Sequence, residues 1–220
     1  SFLLGLGSAL ISVILALFLG YGKRIIPGKA TIASIRTASI GYAIPGTVIA
    51  VGVIIPFAWI DGRIDTFMQS SFGISSGLIF SGTLIAVMFA YVVRFLAISL
   101  QTVESGLEKI KPSMDDAARS LGCRHRETLF KIHIPLLKSS TLTALMIVFV
   151  DVMKELPATL ILRPFDFNTL AVRAFELASD ERLADSSTAA LTIVVVGLLP
   201  VIYLSKTISH SRLDQGNTKI

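Results

Sequence analysis

Four stretches of the chain, residues 1–22, 37–60, 66–93 and 186–205, carry no charged residue at all. About 20 apolar residues suffice for a helix to cross roughly 30 Å of hydrocarbon, and inside lipid only a helix or a closed barrel can satisfy its own backbone. Runs of this length predict helices that span a membrane. Composition agrees: 53% of the 220 residues are hydrophobic, 16% are charged, and mean hydropathy is +0.74, outside the range of an ordinary soluble domain.

A fifth span is expected from Pro135 through "LTALMIVFVDVMKEL". Proline suits a first helical position, and charges close both ends of the run. The expected fold class is thus all-α: a polytopic membrane protein of about five transmembrane helices forming one domain over residues 1–220. The expected spans are about 2–22, 38–60, 78–100, 135–156 and 186–205, with a loop at 101–134 on one side and a loop at 157–185 on the other, in which 168–179, with Leu170, Phe175 and Leu177 apolar between polar residues, is expected to form a short amphipathic helix. The segments 23–36, 101–138 and 205–220 fall on one side and together hold 14 Lys/Arg and 6 Asp/Glu; 61–65 and 156–185 hold 4 and 7. Basic loops stay in the cytoplasm, so the long charged loop is expected inside and residue 1 outside. The net charge of +5 is then a topology signal, and no nucleic-acid partner is expected. The start at Ser1 lacks a basic n-region and a cleavage site, which reads as a piece of a longer chain and not as a signal peptide.

The charged loop contains "DDAARSLGCRHRETLFKIHIPLL", residues 115–137. Ser113 and Asp116 have capping-box spacing, so a helix is expected to begin near Met114, with Asp115 pairing to Arg119. Gly122 is placed to end it in a left-handed cap. A second helix is expected from about Arg124 to His133, before Pro135 opens the next span. Physics alone admits two readings: a rigid knob grasped by a partner, or an amphipathic segment lying on lipid headgroups.

The run from Asp116 to Pro135 resembles the EAA loop of the membrane subunits of binding-protein-dependent ABC importers. Asp116, Ala117 and Ala118 stand at the Glu-Ala-Ala positions, Gly122 at the glycine, Ile132 at the isoleucine and Pro135 at the proline. Asp116 in place of Glu and Ile134 in place of Leu are mild departures. The resemblance implies that these six residues form a coupling helix for a separate cytoplasmic ATP-binding subunit. This chain would then be a transport subunit and not an enzyme, with no catalytic residues and no cofactor; it has no Gly-rich Walker loop of its own. It also implies an external or periplasmic solute-binding protein, a second permease half in the same or another chain, and residence in the bacterial inner membrane. Residues 41–61 and 150–181 look like the C-terminal half of ferric-iron-type permeases. Ferric iron is therefore the expected cargo, with thiamine, polyamine, sulfate or phosphonate as alternatives.

Asp151 and Glu155 lie four apart, and their position suggests carboxylates facing a translocation path, since hard cations prefer oxygen ligands. The competing reading is that Lys154 neutralises one of them. Arg94, alone in its span, is expected to snorkel toward the cytoplasmic interface. "GISSG" (73–77) fits the nucleophile-elbow pattern, but His125, His133 and His210 all fall on the other side of the expected topology, so a Gly/Ser loop explains it better. His125 and His133 are expected to be solvated or partner-facing, and no metal site is expected. An ATP-independent channel is the remaining alternative, distinguished by having no use for a coupling loop.

Overall fold

The computed structural model describes the backbone of residues 1–216 and the side chains of residues 1–202. Lys206, His210, Arg212 and Lys219, which entered the expectations above, lie outside the described side chains. Every regular element among the described residues is helical, in the order α1 (Phe2–Ile25), α2 (Lys29–Ile40), α3 (Gly46–Phe72), α4 (Leu84–Glu108), α5 (Pro112–Ser120), α6 (His125–Thr128), α7 (Ile134–Leu136), α8 (Lys138–Met153), α9 (Pro157–Leu162), α10 (Leu170–Ser179) and α11 (Leu183–Gly216). A 3₁₀ turn, Gly41–Ala43, joins α2 to the approach of α3, and a π-helical stretch, Leu129–His133, joins α6 to α7.

Helix α4 is the centre of the bundle, touching α1, α2, α3, α8 and α9, and α1 packs along both α4 and α8. The buried face of α1 repeats small residues, Gly5, Ser8, Ala9, Ser12, Ala16 and Gly20, which let helix backbones approach where lipid gives no hydrophobic drive. The approach is close. A methyl group added at Gly20 would meet Leu107 at 3.1 Å, and one at Gly106 would meet Ser140 Oγ at 2.5 Å. Two buried clusters result. One joins Ala16, Ile35, Leu100, Val103, Leu107, Ile110 and Leu137 at the basic end, and the other gathers Leu4, Ile49, Val53, Tyr91, Phe95, Val148 and Phe149 farther along.

By length and composition, four helices can cross a membrane among the described residues: α1, α3, α4 and Leu183–Ile202 of α11. The fifth crossing is formed only if His125–Leu136 and Lys138–Met153, bent by 72° at Leu137, count together. The expected start of that span at Pro135 is therefore corrected. Pro135 sits before the corner, and the π-helical stretch, where Ile134 N–H reaches back to Leu129 O, carries the chain up to a residue that has no N–H to donate.

The span expected over 38–60 is two helices. The chain breaks between Ile40 and Gly46, where Pro45 cannot donate to a continuing helix, and α3 then runs to Phe72. The charges at 61–65 are thus not a loop. Asp61 lies inside α3 and is buried, accepting hydrogen bonds from the backbone N–H groups of Ile79 (3.1 Å), Phe80 (2.9 Å) and Ser81 (2.7 Å). Asp65, one turn later, accepts from Ser75 Oγ at 2.7 Å and Ser76 N–H at 2.8 Å. Those bonds hold residues 73–83 as a loop, so α4 starts at Leu84, behind the Thr83 cap, instead of near 78. "GISSG" is part of that loop, with Gly73 and Gly77 at φ +67° and +61°.

The expected loop over 157–185 contains α9, which was not foreseen and packs on α3 and α4. It also contains the amphipathic helix expected at 168–179, which forms as α10 behind a Thr169 side-chain cap and buries Ala171, Val172 and Leu177.

Candidate functional site

The segment between α4 and α8 folds as a compact element with one face inward and one outward. Helix α5 begins at Pro112 with Lys111 as its N-cap, and its cap uses no side-chain hydrogen bond. The expected Ser113–Asp116 capping box does not form, because proline at the first helical position already moves the start two residues earlier. Gly122 adopts φ +82° with open space around it, the left-handed conformation that ends α5. A cap the sequence reading missed opens α6: the Glu127 carboxylate accepts the Arg124 N–H at 2.9 Å.

The expected Asp115–Arg119 pair is also replaced. Arg119 pairs with Asp116, on the solvent side. Asp115 turns inward, where Arg24 Nε donates to one carboxylate oxygen at 2.7 Å and His133 Nε2 donates to the other at 2.6 Å. His133 is fully buried, contrary to the expectation of a solvated or partner-facing ring. His125 is exposed, and its carbonyl accepts the Tyr21 hydroxyl at 2.8 Å. Arg24 donates as well to Leu107 O and Ile110 O, each at 2.7 Å, capping the C-terminal end of α4. Burial alone would raise the Asp115 pKa, but the bonds from Arg24 and His133 outweigh it and hold the carboxyl below its usual range.

The residues matching the loop pattern divide between the two faces. Asp116, Ala117, Gly122 and Pro135 are exposed, Ile132 is half-buried, and Ala118 is buried against the bundle. Beside the exposed ones, Leu121 is 84% and Phe130 60% exposed. The result is an outward surface of small, acidic and apolar groups on a stiff, internally bonded base.

Asp151 and Glu155 are not brought onto one helical face. Helix α8 ends at Met153, Asp151 pairs with Lys154 at 2.7 Å, and Glu155 lies beyond the helix end, 3.2 Å from Arg94 Nε. Arg94 therefore does not snorkel. It sits mid-way along α4, and its Nη1 donates to Ile44 O at 2.8 Å, serving a carbonyl left free by the break before Pro45. Glu155 also accepts the Ala158 N–H at 3.3 Å. Gly46 makes this meeting possible, since a Cβ there would lie 2.6 Å from Glu155 Oε1 and 3.2 Å from Arg94 Nη1. This junction had no sequence signal beyond the glycine and proline of "IPG".

Comparison with known proteins agrees with these features. A Fe(3+)-transport system permease protein of Haemophilus influenzae is 29% identical over 203 residues, covering 92% of this chain and 37% of that protein. A Salmonella typhimurium permease protein named for 2-aminoethylphosphonate transport is 29% identical over 173 residues, covering 79% of this chain and 58% of that protein. The chain thus spans little more than a third of one relative and under two thirds of the other. Among solved structures, a chain of a bacterial alginate ABC transporter bound to its periplasmic protein matches 91% of this chain, and 73% of that one is covered, at TM-score 0.70 and 12% identity. That likeness establishes the fold. Residues 12–215 match the family described as the binding-protein-dependent transport system inner membrane component, and the chain belongs to that family.

Proposed function

We propose that this chain is a membrane-spanning half of an ATP-driven importer, and that a separate cytoplasmic ATP-hydrolysing subunit docks on the outward face of α5 and the α6–α7 stretch. The observation that carries this reading is the exposure of Asp116, Ala117, Gly122 and Leu121 on an element whose other face is bonded to the bundle. Large apolar groups left uncovered beside a charged helix mark a protein contact. Ala118, Ile132 and Pro135 act in the same element by packing and by shaping its return to the membrane. A second permease half covers the exposed apolar surfaces of α3 and α11, which include Val51 and Ile55 on the first and Val194, Val195 and Leu198 on the second. An external solute-binding protein delivers the cargo.

Ferric iron is the proposed cargo, supported by the iron-named relative that spans most of this chain. A phosphonate is the second reading, supported by the other relative. Asp151 and Glu155 are proposed to border the path, each held by a basic partner. The test is uptake of labelled ferric iron into vesicles holding the full-length protein, its ATPase and its binding protein, competed by thiamine, polyamine and 2-aminoethylphosphonate. ATP-dependent iron uptake supports both parts of the proposal. ATP-dependent uptake of a competitor instead keeps the importer and discards iron, and flux indifferent to ATP returns the chain to the channel alternative. Asp116→Lys and Gly122→Pro are expected to abolish uptake while the protein still inserts. Asp151→Asn and Glu155→Gln are expected to lower uptake with the ATPase still docked; unchanged kinetics in both would remove them from the path.

A further inference from the structure

The docking face and the bundle are joined by three routes, and only two of them are covalent. From α5 the chain runs back through Lys111 and Ile110 into α4, and from α7 it runs forward through Leu137 into α8. Helix α1 is not adjacent to this element in sequence, yet it packs along both α4 and α8. Its link to the element is made by two side chains one turn apart, Tyr21 and Arg24.

Arg24 is the more demanding of the two. Its guanidinium spends three donors on three acceptors, Asp115 Oδ2, Leu107 O and Ile110 O, all at 2.7 Å. One residue thereby fixes the end of α1 to the last turn of α4 and to the first turn of α5. Asp115 continues the connection to the π-helical stretch through His133, whose ring lies 5.0 Å from that of Tyr21. Arg24 and Asp115 are each about four-fifths buried, with side-chain exposures of 18% and 22%. A fork of fixed donors at this depth is a stiff linkage, in a way that a lysine or a surface pair is not.

We propose that Arg24 and Asp115 are positioning residues for transport: they carry displacement of the docking element to α1, which among the described residues has no other bonded route to it than Tyr21. This rests on the docking reading above. None of the outward residues of the motif bonds to a span, since Asp116 reaches only Arg119 within α5. The docking surface and the linkage are therefore separable by substitution.

The experiment measures three quantities on the full-length protein with its ATPase and binding protein in vesicles: affinity for the ATPase subunit, ATP hydrolysis and cargo uptake. Arg24→Gln and Asp115→Asn are expected to bind the ATPase within about twofold of the unsubstituted protein and to hydrolyse ATP, while uptake falls at least about tenfold. The double variant is expected to be no worse than the poorer single one, the mark of two groups acting as a unit. Arg24→Lys, which keeps the charge beside Asp115 but cannot reach three acceptors, is expected to recover part of the uptake. Loss of ATPase affinity in step with uptake, in Arg24→Lys as in Arg24→Gln, would overturn the proposal by making the linkage a mere support of the docking face. Unchanged uptake in Arg24→Gln would also overturn it. Asp116→Lys separates the two failures: normal ATPase binding by that variant sinks the docking reading itself, whatever the Arg24 variants do.

Discussion

Of the arginine–carboxylate pairs among the described residues, Arg24–Asp115 and Arg94–Glu155 are made on different terms. Arg24, at the basic end, has all its contacts aligned at 2.7 Å and shares Asp115 with a histidine. Arg94, mid-way along α4, faces a 7%-exposed Glu155 at 3.2 Å; its Nε lacks the alignment of a hydrogen bond, and its Nη1 is committed to a backbone carbonyl. The first network joins elements that water can still reach. The second keeps a broken helix, a helix end and a charge together where water cannot help, so losing one partner there strands the other.

The largest effect should come from Arg94→Met, which leaves Glu155 uncompensated and Ile44 O unserved, at a cost of about 3–5 kcal/mol. Thermal unfolding in detergent checks it, and the double variant Arg94→Met with Glu155→Leu should recover most of the loss, apart from about 1–3 kcal/mol for the orphaned carbonyl. If the double variant is as unstable as the single one, charge is not what distinguishes this junction. Gly46→Val tests the same place by crowding. It should cost about 1–3 kcal/mol, because the added carbons enter the space of Glu155 and Arg94.

At the basic end the contrast can be read through pH. The folded pKa of Asp115 is depressed, so its contribution is fully present above the ordinary aspartate value of about 3.9 and is lost as pH falls through the lower folded value. The stability gap between the unsubstituted protein and Asp115→Asn should hold steady above about pH 5 and close below about pH 4. A gap that stays open in acid would mean that Asp115 acts by shape alone. The smallest effect belongs to Arg119→Ala, which removes a pair exposed on both sides and should change stability by under about 0.5 kcal/mol.

The parts of the fold written in local sequence were legible before the structure. The pattern from Asp116 to Pro135, the left-handed turn at Gly122 and the amphipathic α10 all depend on residues within a few positions of one another. The break before Gly46 was harder to see, because an uninterrupted apolar run looks the same whether one helix or two fill it. Asp61 and Asp65 read as a loop since charges interrupt apolar runs, but apart from the Gln69 amide their partners are backbone groups and hydroxyls 10 to 20 residues downstream. Asp115 finds Arg24 and His133 at 91 and 18 residues away in the chain, and Arg94 finds Ile44 O at 50; no local spacing rule reaches that far. Arg119 was the nearer cation for Asp115, and burial decided against it.

The corner at Leu137 gives the molecule a bell crank. Its two arms, the 12 residues His125–Leu136 and the 16 residues of α8, are bent by 72° relative to each other, and at 1.5 Å per residue they measure roughly 18 Å and 24 Å. The fulcrum is a fully buried leucine set against Gly106. Turning about it, a 1 Å displacement at the far end of the short arm becomes roughly 1.3 Å at the far end of the long one, redirected through the corner angle, by the ratio of the arm lengths. The far end of the long arm is the one where Asp151, Lys154 and Glu155 gather.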